Sequence, residues 1–146
     1  CQNMSVSLYY HSGTVSPDQR RLAEDRIASW NEGYEYWCES LGFEPDQGDS
    51  SLAGSTKLYC GIADERVDFY MAHTDLMRMI GQLERLSTEL GVEWSLNIDG
   101  KELGRIIGGE VDDELEFQLD VLGDMHGAHK PFDLSREEIL ERHSDR

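Results

Sequence analysis

The alternation of apolar and polar residues along the chain predicts several short β-strands. Val6, Leu8 and Tyr10 occupy every second position of residues 4–10, and successive side chains of a strand point to opposite faces of a sheet. This segment is therefore predicted to be a strand with one apolar face. The same period of two predicts further strands over 56–62, 66–72, 92–98 and 101–107. Residues 43–55 between them are turn-rich and are predicted to form a long loop, a feature that often carries function.

A period of three to four residues predicts a long first helix. Ser16 is a good N-cap, Pro17 suits the first helical position, and Gln19 can complete a capping box. Gly33 lies off the apolar face, so the helix is predicted to continue past it. The apolar stripe consists of Ala23, Ile27, Trp30, Tyr34, Trp37 and Leu41, at steps of four, three, four, three and four.

Three more helices are predicted in the rest of the chain. Thr74 is predicted to cap a second helix, which ends at Gly91. A third helix is predicted over 111–122, with Leu115 and Leu119 among its inward residues. Ser135 opens another capping box and so a short helix or tail over 135–146.

The order of these elements predicts an α+β fold class. Asp99-Gly100 between two strand-like runs is a typical hairpin turn. The first six elements follow the β-α-β-β-α-β order of ferredoxin-like folds, in which helices cover one face of a mainly antiparallel sheet. An extra strand and a C-terminal helix complete the chain. A single domain is predicted over 4–134, and residues 1–3, which precede the first methionine, are interpreted as an expression remnant.

The charge of the chain is strongly negative and unevenly distributed. Thirteen basic residues face thirty acidic ones, for a formal net charge of −17. Such a charge repels nucleic acid and anionic membranes, so neither is expected as a partner. Two stretches without Lys or Arg, 27–56 and 106–129, hold thirteen of the acidic residues. A charge that serves only solubility is more often mixed with basic residues, so these stretches are interpreted either as solvated faces or as docking surfaces for a basic protein.

Two predicted helical faces carry much of this acidic charge. On the first helix the acids lie opposite the aromatic stripe, and on the third they share a face opposite Leu115 and Leu119. Phe117 lies at the margin of the second face, where an aromatic side chain could anchor an interface. The predicted partner-binding residues are Glu32, Glu35, Glu39, Asp113, Glu116, Phe117 and Asp120.

One short segment has the residue types of a metal site. Asp124, His126 and His129 place three oxygen or nitrogen ligands within six residues, a set that could hold zinc or another divalent ion. The alternative is a polar loop with two exposed histidines. No other cofactor is predicted, because residues 97–100 lack the flanking carboxylates of an EF-hand and no P-loop or dinucleotide fingerprint is present.

Signals for catalysis and for disulfides are weak. His73 and Asp75 have the chemistry of an acid–base pair, but a histidine beside a helix cap is a common surface feature. Cys38 and Cys60 fit the apolar faces of their predicted elements and are interpreted as core thiols. Three cysteines at irregular spacing predict no disulfide framework, which favours a reducing, cytoplasmic environment.

These features lead to two hypotheses of different classes. The first is a non-enzymatic, acidic domain that binds a basic protein, as a regulatory protein would; its size and charge are similar to those of small immunity or inhibitor proteins. The second is a ferredoxin-like domain that binds a small ligand or a metal, or a small enzyme of unknown substrate. Its site would lie in the 43–55 loop or in the 124–129 cluster. A deep polar cleft would favour the second hypothesis, and a flat acidic surface the first.

Overall fold

The computed structural model describes residues 6–44, 51–59, 65–125, 127 and 133–144. The elements in these ranges are β1 (Val6–Thr14), α1 (Pro17–Asn31), β2 (Ser51–Tyr59), α2 (Glu65–Leu90), β3 (Trp94–Ile98), β4 (Lys101–Ile107), β5 (Glu110–Val111), α3 (Asp113–Met125) and α4 (Arg136–Ser144). The five strands form one antiparallel sheet in the order β2-β1-β3-β4-β5. The predicted α+β class with an antiparallel sheet is confirmed.

One face of the sheet is buried and the other is open to solvent. In β1, Leu8 and Tyr10 are buried, whereas Tyr9 between them is 42% exposed. The buried face joins apolar residues of α1, α2 and α3 in one core cluster. The helices that build this core therefore cover one face of the sheet, and the face that carries Tyr9 remains available.

The local signals for the start of the first helix and for the Asp99-Gly100 turn are confirmed. Ser16 caps α1, and its hydroxyl and backbone exchange hydrogen bonds with Gln19 in a capping box. Asp99 and Gly100 form the turn between β3 and β4, with φ of 49° and 88°. Positive φ at both positions is typical of the type I′ turn, whose twist matches that of the two strands.

The first helix is shorter than predicted. It ends at Asn31, with Glu32 as its C-cap and Gly33 at a φ of 78°. This glycine supplies the left-handed conformation that ends many helices. The predicted continuation to Leu41 is wrong because the following residues form an irregular segment, in which Trp37 is buried against residues of α2 and α4.

The segment 66–72, predicted as a strand, forms the start of α2. Apart from His73, the buried residues of this region recur at helical steps: Asp68, Met71, Ala72, Asp75, Leu76 and Met79. Thr74, the predicted cap, lies inside the helix, and its hydroxyl donates to the Tyr70 carbonyl at 3.0 Å, the bond that a threonine makes within a helix. A single described strand therefore lies between α1 and α2, and the ferredoxin-like order is not found.

The long loop and the strand after it are also shifted. β2 covers Ser51–Tyr59 and pairs with β1, whereas the prediction placed the strand over 56–62 and a loop over 43–55. Residues 45–50 and 60–62 lie outside the described part. Phe43, at the start of the predicted loop, stacks on Trp94 with ring centroids 6.0 Å apart, so this end of the loop is anchored to the core.

The C-terminal helix is found as predicted and packs against the rest of the fold. Ile139 of α4 is buried in a small cluster with Trp37 and Met71. The division of the chain into a domain over 4–134 and a terminal segment over 135–146 stays a prediction. Among the helices of the described ranges, none combines the length and the apolar character that crossing a bilayer requires.

Candidate functional site

α3 is held on β4 by a close contact that requires glycine. Gly104 has a φ of 146°, and a Cβ added there would lie 2.6 Å from the Leu115 backbone nitrogen and 2.7 Å from the Leu115 Cβ. Asp112 caps the helix, since its Oδ1 accepts from the same Leu115 N–H at 2.8 Å. Leu115 and Leu119 are buried in the core. The opposite side of α3 is therefore directed to solvent.

The solvent side of α3 carries an aromatic side chain among carboxylates. Phe117 is 61% exposed, and Asp113 and Asp120 lie one turn before and after it on the exposed helix surface. Within the described ranges, neither these two acids nor Glu116 forms an ion pair. We call Asp113, Glu116, Phe117 and Asp120 the α3 acidic face. The structure thus brings together on one surface the four residues that the sequence predicts for the third helix.

The acids predicted on the first helix do not share a helical face. Glu32 is the C-cap of α1, and Glu35 and Glu39 lie in the irregular segment that follows; all three are exposed. The Glu39 carboxylate accepts from the Lys57 backbone N–H at 2.8 Å, so it covers part of the edge strand β2. In the sheet, β2 lies three strand positions from β4, the strand on which α3 packs. Three positions correspond to a distance of about 14 Å between the two strands. The two acidic groups therefore belong to different parts of the surface.

The predicted metal cluster lies only partly within the described residues. Asp124 is exposed near the end of α3, and His126 and His129 lie outside the described ranges. Where residues are described, no group of three or more His, Cys, Asp or Glu side chains could hold a metal ion. The divalent-metal site at 124–129 stays a prediction.

His73 and Asp75 are both buried in α2. The Asp75 carboxylate is 1% exposed and accepts from the Tyr34 hydroxyl at 2.9 Å, from the Trp37 backbone N–H at 2.7 Å and from the Arg136 guanidinium at 2.8 Å. These three donors come from the segment after α1 and from α4. Asp75 therefore ties both segments to α2, and it is enclosed by its own hydrogen-bond partners.

The pKa shifts in this network follow from its burial. Desolvation is the largest cause that raises the pKa of the Asp75 carboxyl, while the Trp37 N–H and Arg136 lower it. Desolvation, followed by the charge of Asp75, raises the pKa of the Tyr34 hydroxyl. The Arg78 guanidinium lies over the Tyr34 ring, 3.8 Å from its centroid, and adds a cation–π contact. The cluster stabilises the fold by joining separate segments.

Cys38 is disulfide-bonded, so its interpretation as a core thiol is wrong. The two other cysteines of the chain, Cys1 and Cys60, lie outside the described residues. Sequence reasoning missed the bond because the odd number of cysteines concealed a possible pair.

A polar cleft of about 390 Å³ opens beside the ends of β1 and α2. Its polar lining includes His11, Thr14, Gln19, Glu93, Ser95 and Arg105. These residues come from three strands, a helix start and a loop, and no local motif connects them. A correct prediction of the strand register would have identified part of this cleft, since the register places His11, Ser95 and Arg105 side by side.

The structure therefore offers two candidate sites on different elements. The α3 acidic face is a convex helical surface, whereas the polar cleft lies at the end of the sheet. The cleft is neither in the 43–55 loop nor in the 124–129 cluster. Comparison of the chain with protein-family models, with curated proteins and with solved structures gave no significant match.

Proposed function

We propose that this chain is an acidic interaction domain that binds a basic protein through the α3 acidic face. The observation that carries the proposal is the exposure of Phe117 among carboxylates without described ion-pair partners. An exposed aromatic side chain beside a row of carboxylates has the anatomy of an interface anchor. The surrounding negative charge would attract a basic protein and accelerate association. The function is that of a regulatory or inhibitor-type binder.

The position of Asp120 along α3 supports the proposal. Asp113, Glu114 and Glu116 lie in the first turn, where the positive end of the helix dipole favours negative charge by about 0.3–1 kcal/mol each. Helix stability therefore accounts for these acids. Asp120 lies beyond the first turn and receives no such benefit, and the last turn has no basic residue. A partner's positive charge would offset the mutual repulsion that remains.

We expect charge reversal on α3 to weaken partner binding strongly. The immobilised domain is used to capture basic proteins from the source organism at low and moderate salt, and the Kd of a purified partner is then measured. Glu116→Lys with Asp120→Lys is expected to raise this Kd by more than about tenfold, because like charges would face each other. Phe117→Ala is expected to raise it by about tenfold through loss of the anchor.

The matched control is Glu24→Lys with Asp25→Lys on α1. Both residues are exposed, and the pair of substitutions changes the net charge by the same amount. The control is expected to bind nearly as well as the unchanged domain, apart from a weaker long-range attraction. Equal losses for the two double variants, or capture of no basic protein, would overturn the proposal.

The disulfide bears on the compartment in which this function operates. The prediction of a cytoplasmic location rested on the cysteines being reduced. Structural disulfides persist mainly in oxidising compartments, so the bond at Cys38 favours a periplasmic, luminal or extracellular setting. Reaction of the untreated native protein with a thiol reagent tests this: protection of Cys38 before reduction, and labelling after it, is the expected result.

The polar cleft favours the second hypothesis, a small-ligand domain. Its volume of about 390 Å³ lies within the range of ligand sites. Three of its lining residues, His11, Ser95 and Arg105, point to the open face of the sheet, whereas α3 packs against the opposite, buried face. The two functions are therefore compatible in one domain.

A further inference from the structure

Side chains of three neighbouring strands line the polar cleft on the open face of the sheet. His11 of β1 pairs with Ser95 of β3, and Ser95 pairs with Arg105 of β4. Cross-strand neighbours point to the same face, so the three side chains stand in a row about 10 Å long. Glu93 and Thr14 line the same cleft. A basic residue thus stands at each end of the row, with small polar groups and one carboxylate nearby.

Most of these polar side chains have hydrogen-bond donors or acceptors that are not used within the described part of the chain. In the described part of the chain, the side chains of His11, Thr14 and Ser95 make no hydrogen bond or ion pair. Arg105 donates one bond from Nη2 to the Glu93 carboxylate at 3.0 Å, while a guanidinium carries five N–H donors. The cleft therefore presents both donors and acceptors to a ligand.

The ion pair in the cleft is weak enough for a ligand to open it. The side chains of Arg105 and Glu93 are 49% and 53% exposed, and an ion pair so open to water contributes little to stability. A guanidinium binds a carboxylate through two parallel hydrogen bonds. The carboxylate of Glu93 is in turn a natural partner for an ammonium group. A ligand carboxylate can therefore replace Glu93 at the Arg105 guanidinium. A ligand ammonium group can replace Arg105 at the Glu93 carboxylate.

We propose that this cleft binds a small zwitterion, of which a free α-amino acid is the simplest. The ligand carboxylate lies between Arg105 and His11, and its ammonium group contacts Glu93. The net charge of −17 repels a free anion at long range, and Arg105 repels a simple cation inside the cleft. A zwitterion has no net charge and satisfies both members of the ion pair, so it avoids both costs.

The proposal is tested first on the unchanged protein. Thermal-shift measurements with the standard amino acids identify the best ligand, and calorimetry gives its Kd. The N-acetyl derivative and the α-amide of the same amino acid each lack one of the two charges. Each is expected to bind at least about tenfold more weakly than the free amino acid. This comparison does not depend on the folding of any variant.

Variants then locate the site. Arg105→Gln and Glu93→Gln are each expected to weaken binding by at least about tenfold, with unchanged circular dichroism. The matched control is Arg21→Gln, which removes an exposed guanidinium near Asp18 on α1, outside the cleft; it is expected to bind as the unchanged domain does. Glu116→Lys with Asp120→Lys should also leave the Kd unchanged, which separates this proposal from protein binding by α3.

Three outcomes would overturn the proposal. The first is the absence of binding by any amino acid at millimolar concentration. The second is binding of the N-acetyl derivative or the amide as tight as that of the free amino acid, which would show a site for a single charge. The third is an equal loss of affinity in Arg21→Gln and Arg105→Gln, which would show a general effect of charge.

Discussion

Replacing Arg136 with alanine is expected to lower the free energy of unfolding by about 3 kcal/mol. The guanidinium donates to the Asp75 carboxylate at 2.8 Å, and Asp75 is 1% exposed. Truncation therefore leaves a buried charge without its cation. The variant also loses a bond to the Glu35 carbonyl and the cation–π contact with Tyr34. Urea unfolding of both proteins measures the difference.

A control and a double variant separate this effect from the loss of any surface arginine. Arg21→Ala removes a side chain that is 75% exposed and is expected to change stability by less than about 0.5 kcal/mol. Adding Asp75→Asn to Arg136→Ala is expected to recover part of the loss, because a neutral amide does not need a cation. If Arg136→Ala lowered the free energy of unfolding no more than Arg21→Ala does, the prediction would be wrong. The hydrogen bonds from Tyr34 and Trp37 would then be enough to stabilise the buried Asp75 carboxylate.

The same carboxylate predicts a pH dependence with a definite sign. Burial raises the pKa of Asp75 in the folded state above its value of 3.8 in an unfolded chain. The folded state therefore holds this proton more tightly, and the associated stability is full below the unfolded pKa and is lost as pH rises through the folded pKa. Relative to Asp75→Asn, the unchanged protein is expected to lose stability as pH rises from the unfolded pKa of Asp75 to its folded pKa. In Arg136→Ala this range extends to higher pH, because the cation that lowers the pKa is gone.

Replacing Gly104 with alanine is expected to cost about 3 kcal/mol. The new Cβ would lie 2.6 Å from both the Asp112 Oδ1 and the Leu115 backbone nitrogen, so the start of α3 must move. Overpacking of this kind costs about 1–3 kcal/mol. The φ of 146° adds backbone strain of similar size for a residue with a side chain. Thermal and urea unfolding measure the loss, and partner binding by α3 is expected to weaken with it.

Gly81→Ala is the matched control, because it makes the same chemical change with the opposite expected sign. Gly81 lies inside α2, and a Cβ added there meets nothing within 4 Å. Alanine in a helix interior is favoured over glycine by about 0.5–1 kcal/mol, so this variant is expected to be more stable. A destabilised Gly81→Ala, or a neutral Gly104→Ala, would contradict the packing that places α3 on β4.

Part of the candidate surface was predictable because it is local. Asp113, Glu116, Phe117 and Asp120 share one helix, and the period of Leu115 and Leu119 alone decides which side of it faces solvent. The polar cleft was not predictable in this way. His11, Ser95 and Arg105 are distant in the chain and become neighbours only through the register of three strands.

The two main errors in the predicted fold have a common cause. Trp37 extended the apolar period of the first helix, and the short run 66–72 fitted a period of two as well as a helix. Asp68 and Asp75 are acidic residues of α2, yet both are buried: the Trp37 indole N–H donates to Asp68 at 2.9 Å and its backbone N–H to Asp75. Buried acids with tertiary partners contradict a pattern that assigns only apolar residues to the core.

By itself, the sequence determined the features that adjacent residues create: the capped start of α1, the Asp99-Gly100 turn, the acidic helix α3 and the antiparallel α+β class. The tertiary structure alone decided where α1 ends and α2 begins, which acids are buried and which strands are neighbours. The physical reason is that capping, turn and periodicity energies act over a few residues. The hydrogen bonds of Asp75 and the row from His11 to Arg105 join segments far apart in the chain, and their energies arise only when the chain has folded.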